Sequence, residues 1–244
     1  MSGRDGGIRF YLITVLSLRV LPGRYHDFYS MVRYAGECSR IYSTMGPLLI
    51  FDQQAEALAA SLSHVPFDAI YTSDLERAFS TAKVVHSALC NRLITPLHVT
   101  STLREQNFGV GEGSRMVKKT KALSLRAHYA KGLFPALYAR HENFPGGESL
   151  QDVRSRAEAF VEEILVPSVK GSEGGYDKHS IIGVVSHGIF IAELVAALSG
   201  KGGASAEKGI DSLRGMKNTA WTKVEVRVVP VTLVGSCFSS VLPN

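Results

Sequence analysis

Cysteine is scarce in this chain of 244 residues: Cys38, Cys90 and Cys237 stand far apart, without the paired spacing of a zinc or dithiol site. So small and odd a set argues against a disulfide framework and for reduced thiols in an intracellular compartment. Long apolar runs are also missing. Nothing approaches the roughly 20 residues needed to span a bilayer, so no membrane partner is expected. Residues 8–20 are apolar enough to resemble a signal-peptide core, but Arg19 interrupts them and no small-residue cleavage site follows. A buried first strand accounts for them better. Nor is there a strong excess of one charge, since 27 Lys and Arg face 22 Asp and Glu, a net of +5. That mild surplus suits a small anionic substrate. No aromatic-basic interleaving or recognition helix points to nucleic acid. The expected protein is cytoplasmic, or nuclear, with neither nucleic acid nor membrane as partner.

What is present is an alternation of strands and helices. Residues 1–7 are polar, Gly-rich and expected to be loose. β-branched and aromatic residues at 8–15 predict a strand. Ala and Leu at helical spacing predict a helix over 53–62. A short strand follows at 67–72, and the polar pair Ser73-Asp74 is expected to cap a helix over 75–89. Further strands are expected at 95–99, 180–185 and, last in the chain, 221–229. Further helices are expected from Glu148-Ser149-Leu150 to about residue 165, and over 189–198. The run Ser180-Ile181-Ile182-Gly183-Val184-Val185 is almost unbroken in its apolar character, the mark of a strand covered on both faces. Gly-rich turns punctuate 171–175 and 200–209. The pattern predicts one α/β domain, a three-layer sandwich on a mostly parallel sheet. Residues 109–147, basic and irregular with one or two helices, read as an insertion beside that sheet.

Three places carry chemistry. Ser186-His187-Gly188 lies where the buried strand ends and a helix begins, the ligand-facing edge of an α/β sheet. An imidazole and a helix N-terminus there can act on one anion. Arg77, in Ser73-Asp74-Leu75-Glu76-Arg77-Ala78, falls in the first turn of a helix after another strand, where a guanidinium can grip phosphate oxygens as a fork. Glu105, in Leu103-Arg104-Glu105-Gln106-Asn107-Phe108-Gly109, follows a third strand and can protonate a leaving oxygen. Singly, the histidine and the arginine have ordinary structural alternatives: a satisfied strand-end histidine and a solvated helix arginine.

In order and rough spacing, these motifs, with Gly147-Glu148-Ser149-Leu150 between them and Asn218-Thr219-Ala220-Trp221-Thr222 after them, resemble the histidine phosphatases, the phosphoglycerate-mutase-like superfamily. The resemblance runs from about residue 53 to 229. It implies a phosphoglycerate-mutase-like fold and a phosphohistidine mechanism acting on phosphomonoesters, with no cofactor and no metal. The partner it implies is a phosphorylated small molecule or phosphate anion. By the same resemblance Arg77 and His187 hold the phosphoryl group, and Glu105 is the acid. The insertion would roof the pocket, where Lys118, Lys119 and Arg140 are candidates for contacting the rest of the substrate. A solvated basic face is the plainer reading of them.

The departure lies in the first motif. The resemblance calls for Arg-His-Gly after the first strand, and this chain reads Thr14-Val15-Leu16. Arg33-Tyr34-Ala35-Gly36-Glu37 is a blurred echo, or else Tyr34-Ala35-Gly36 matches an aromatic-Ala-Gly element of some relatives. His26 is the one histidine before the helix at 53, a stand-in nucleophile without the glycine that allows close phosphate approach. Residues 14–52 are therefore aberrant, through divergence or through a replaced exon or reading frame. Two functions remain open: a phosphatase or mutase with impaired turnover, and a catalytically inactive anion-binding or regulatory module.

Overall fold

The computed structural model describes residues 7–14, 47–114, 116–118, 123–137, 139–169, 180–200, 218–229 and 232–239. Strand β1 (Gly7–Thr14) is followed by helix α1 (Pro47–Leu62), β2 (Ala69–Ser73), α2 (Glu76–Ala88) and β3 (Leu97–Thr100). Later come α4, which starts over Leu150–Phe160 and runs on through a wide turn at Val161–Leu165 to Val166–Val169, then β6 (Ser180–Ser186) and α5 (Gly188–Gly200). Strands β7 (Trp221–Val229) and β8 (Thr232–Ser239) complete the order. The six strands lie in one sheet in the order β3-β2-β6-β1-β7-β8. β3, β2, β6 and β1 run parallel, while β7 pairs antiparallel with β1 and β8 antiparallel with β7.

The period-two alternation of strands decides which layer each residue joins. On β1, Leu12 packs into one core and its neighbour Ile13 into the other. On β6, Ile182 and Val184 face the first, with Phe160, Phe190 and Leu194 of α4 and α5. Val185 faces the second, with Leu58 and Leu62 of α1 and Ala78, Ala82 and Val85 of α2. A strand covered twice has no polar face to show, which is why β6 reads as an apolar run. This is the three-layer, mostly parallel architecture expected.

Four expectations need correction. The helix expected at 53 begins at Pro47. Proline fits there because the first turn of a helix leaves its N–H groups unpaired in any case, so the last part of the segment read as aberrant is regular helix. Ser73 and Asp74 do not cap α2. Leu75 is the cap residue, without a side-chain bond, and Asp74 turns to Arg104 instead. The strand expected over 95–99 spans Leu97–Thr100, and Thr95 donates to the Phe67 carbonyl. Finally, 221–229 is not the last strand, because β8 pairs with it.

Between β3 and α4 lies the stretch 109–147. It holds a short parallel strand pair, β4 (Met116–Val117) with β5 (Phe134–Pro135), and the helix α3 (Leu125–Ala130). Phe144 gathers three other rings: Tyr129 and Phe134 meet it edge to face, Phe108 lies tilted to it, and Tyr129 stacks on Phe134. Among the described residues no helix is long and apolar enough to cross a membrane. His26, Lys119, residues 33–37 and the 171–175 turn lie outside the described residues.

Candidate active site

The parallel strands β1, β2, β3 and β6 end at one edge of the sheet, and the motif residues follow those ends. Thr14 stands beside Ser186 in the β1–β6 register, so the point where β1 leaves the sheet adjoins His187. Ser186 is buried and donates its hydroxyl to the Leu103 carbonyl at 2.7 Å, drawing the loop after β3 onto the end of β6. That single bond brings the third motif to the first.

His187 is fully buried, between β6 and the head of α5. Nε–H of Arg77, reaching across from the first turn of α2, donates to its Nδ1 at 3.1 Å. A guanidinium has no lone pair to offer, so Nδ1 is the accepting nitrogen and the neutral ring carries its proton on Nε2. The terminal nitrogens of Arg77 make no hydrogen bond among the described residues. Burial depresses the basicity of Arg77, and the nearby carboxylates Glu105 and Glu112 restore part of it.

Glu105 reaches the same place from the loop after β3. One carboxyl oxygen accepts from the backbone N–H of Gln106 at 3.0 Å and of Phe190 at 3.3 Å. The other accepts from Ile189 N–H at 3.4 Å. The carboxyl thus sits over the first turn of α5, beside His187. Burial pushes its pKa up, against the pull of those three N–H groups and of Arg77. A part-buried glutamate that holds its proton more tightly than usual, next to an arginine and a histidine, has the properties of a general acid.

Around these three stand residues whose importance the sequence did not announce. Asp74 takes a two-pronged bond from Arg104, 2.7 and 2.6 Å, joining the loops after β2 and β3. The Arg104 hydrogen bond lowers the Asp74 pKa, with a smaller contribution from His187. Glu148, in the Gly-Glu-Ser-Leu motif, is paired with Arg156 at 2.9 Å and accepts from Asn107 N–H at 2.9 Å. Sequence spacing gave no signal for that pair, because Glu148 precedes the helix and a separation of eight is not one at which helical side chains meet. Of the remaining candidates, Lys118 is exposed beyond β4 and makes none of the contacts that join Arg77, His187 and Glu105. Arg140 gives its guanidinium to Glu193 of α5 at 2.6 Å. Asn218 donates to Gln54 of α1, and Thr219 holds a left-handed backbone, φ 57°, before β7.

A model of the histidine phosphatase superfamily (branch 1) matches residues 52–228. The fructose-2,6-bisphosphatase TIGAR B of Danio rerio is 31% identical over 118 residues, 46% of this chain and 40% of its own. The fructose-2,6-bisphosphatase TIGAR of Xenopus tropicalis is 32% identical over 112 residues, 45% and 37% of the two chains. The chain therefore covers less than half the length of these curated relatives. Among solved structures, a mycobacterial glucosyl-3-phosphoglycerate phosphatase in complex with inorganic phosphate is 26% identical, with a TM-score of 0.56 over 89% of each chain. A phosphoglycerate mutase from Bacillus anthracis str. Sterne shares the fold at 19% identity, with a TM-score of 0.55 over 91% of this chain and 88% of its own. Because the family match runs over well more than half of the chain and takes in the strand ends that carry Arg77, Glu105 and His187, the chain belongs to the histidine phosphatase superfamily, branch 1.

Proposed function

We propose that this protein takes a phosphomonoester or phosphate anion at the Arg77–His187 edge, and that its phosphohistidine turnover is impaired. The observation that carries the reading is the 3.1 Å contact between the Arg77 and His187 side chains, which come from two strand ends 110 residues apart in sequence. Both groups are suited to phosphoryl oxygens, and Glu105 lies where it can protonate a leaving oxygen. What this chain lacks in sequence is the Arg-His-Gly expected after β1, where it reads Thr14-Val15-Leu16. Without that nucleophile the site retains positioning and electrostatic stabilisation only. His26 is the alternative nucleophile in the same sequence interval. Lys118, Lys119 and Arg140 are the proposed contacts to the rest of the substrate, and Arg140 can serve only by leaving Glu193. The curated relatives' bisphosphate and the structural neighbour's phosphoglycerate ester are both polyanions, which suits a basic insertion.

The test is anion-dependent stability. Orthophosphate or vanadate at ten times Kd should stabilise the native state by about 1.4 kcal/mol, a rise in Tm of about 3–6 °C for a domain of this size. Arg77→Ala should lose most of that rise. A wild-type protein that shows no shift at millimolar anion would leave the family membership a statement about fold alone. Reading the genomic region that encodes residues 14–52 in all three frames then separates a replaced segment from a diverged one.

A further inference from the structure

The Arg156 side chain reaches from outside the site into its framework. It projects from α4, four-fifths buried. Its Nε and one Nη hold both oxygens of Glu148, at 3.0 and 2.9 Å. The other Nη donates to the carbonyls of Thr102 at 2.6 Å and Arg104 at 2.7 Å. Its carbon centre lies 5.1 Å above the Phe190 ring. Every one of these partners bears on Glu105. Thr102 and Arg104 frame it in the chain. Glu148 holds the next stretch of the same loop through Asn107 N–H, while the Glu148 carbonyl accepts from the Gln106 side chain and Glu148 N–H donates to the Asn107 carbonyl. Phe190 supplies one of the backbone donors to the Glu105 carboxyl.

We propose that Arg156 is the positioning residue of this site: its fork fixes the 102–107 loop so that the Glu105 carboxyl stays over the first turn of α5, beside Arg77 and His187. The role of Glu105 as acid rests on the function proposed above; its placement by Arg156 does not. Arg156 touches Glu105 through the main chain rather than at the carboxyl, so it acts by geometry. The charged or titratable groups from the surrounding elements are Arg77 of α2, the neutral His187 at the head of α5, and Arg104 and Glu148 in the flanking loops. Of these, Arg77 is the one whose field reaches the Glu105 carboxyl. A lysine in place of Arg156 keeps the charge near Glu148 but has no planar fork to hold a carboxylate and two carbonyls together.

The experiment follows the Glu105 side-chain carboxyl carbon by NMR through a pH titration, in wild type, Arg156→Gln, Arg156→Lys and Glu148→Gln, with the vanadate-induced rise in Tm measured on each. In wild type the Glu105 midpoint should stand above that of an exposed glutamate, since burial dominates it. In Arg156→Gln the loop is released, and the midpoint should fall to that of an exposed glutamate. Arg156→Lys should rescue it only in part, and Glu148→Gln should move it less than Arg156→Gln does. The vanadate response should survive in all three variants, because Arg77 and His187 are untouched. Should Arg156→Gln fail to fold, the Lys and Glu148 variants carry the same comparison. An unchanged Glu105 midpoint in every folded variant, whatever happens to Tm, would reduce Arg156 to a structural tie and overturn the proposal. Failure of wild type to respond to vanadate would sink the proposed function while leaving the titration to decide on Arg156.

Discussion

Glu105 is drawn in two directions, and the balance between them is measurable. Burial favours its protonated form, while the N–H groups of Gln106, Ile189 and Phe190 and the charge of Arg77 favour the carboxylate. Burial is the larger influence, so the folded-state pKa lies above the unfolded one. A group shifted in that sense contributes its full stability below its unfolded pKa, about 4.3 for glutamate, and loses it as pH rises through the folded value. At neutral pH the ionised carboxylate therefore weakens the native state. Glu105→Gln should raise the urea midpoint at pH 7, and the gain should shrink to nothing as pH falls below about 4. A loss of stability at pH 7 would instead mean that the α5 N–H donors outweigh desolvation at this site. Asp74 works in the opposite sense. Its pKa is lowered by Arg104, so its contribution is present above the unfolded value and disappears in acid.

Between elements, the decisive contact is the close approach of the loop at Phe108-Gly109 to the turn before α4. A Cβ on Gly109 would lie 2.3 Å from the Pro145 carbonyl oxygen, at a φ of +53°. A Cβ on Gly113, at φ +71°, would meet nothing within 4 Å. Gly113→Ala therefore isolates the left-handed backbone penalty, about 1–2 kcal/mol. Gly109→Ala should cost clearly more in urea unfolding, because the Glu148-bearing turn must also move. Equal losses would show that the two loops separate easily. This contact also marks the limit of what the sequence disclosed. The motifs holding Arg77, Glu105 and His187 could be read because each follows a strand with a clear apolar signature. The Gly-Gly-Glu-Ser turn was recognisable as a motif, yet its work, holding the Glu105 loop through Glu148 and Arg156, depends on contacts 41 to 54 residues apart. No local pattern encodes those. The same reason hid the partnership of Asp74 with Arg104, since an aspartate before a helix looks like a cap until its distant cation is known. β8 went unread because a strand at the end of a sheet is defined by its antiparallel neighbour rather than by its own periodicity.

For the whole molecule, the question is whether holding an anion suffices for chemistry on it. The described site gathers Arg77, His187 and Glu105, to which the family resemblance assigns the hold on phosphate and the acid, at the ends of β2, β6 and β3. In the function proposed above the nucleophile is the missing part: from the end of β1 the sequence reads Thr14-Val15-Leu16, where the family resemblance calls for Arg-His-Gly. A hydroxyl or an aliphatic side chain cannot form a phosphohistidine. On that proposal water could still attack directly, helped by positioning and by Arg77, but without the division of one difficult step into two easier ones. Incubation with a labelled phosphomonoester, quenched in alkali to preserve phosphohistidine, should therefore leave no label on the protein, even under conditions where vanadate raises Tm. Peptide mapping gives every other outcome a meaning. Label on His26 would make it the relocated nucleophile and restore a two-step enzyme. Label on His187 would require Arg77 to release Nδ1, and Arg77→Ala should then alter the rate of labelling rather than only the binding of phosphate. Rapid hydrolysis with no label at either histidine would mean direct attack by water, with Glu105→Gln expected to slow it by removing the proton donor.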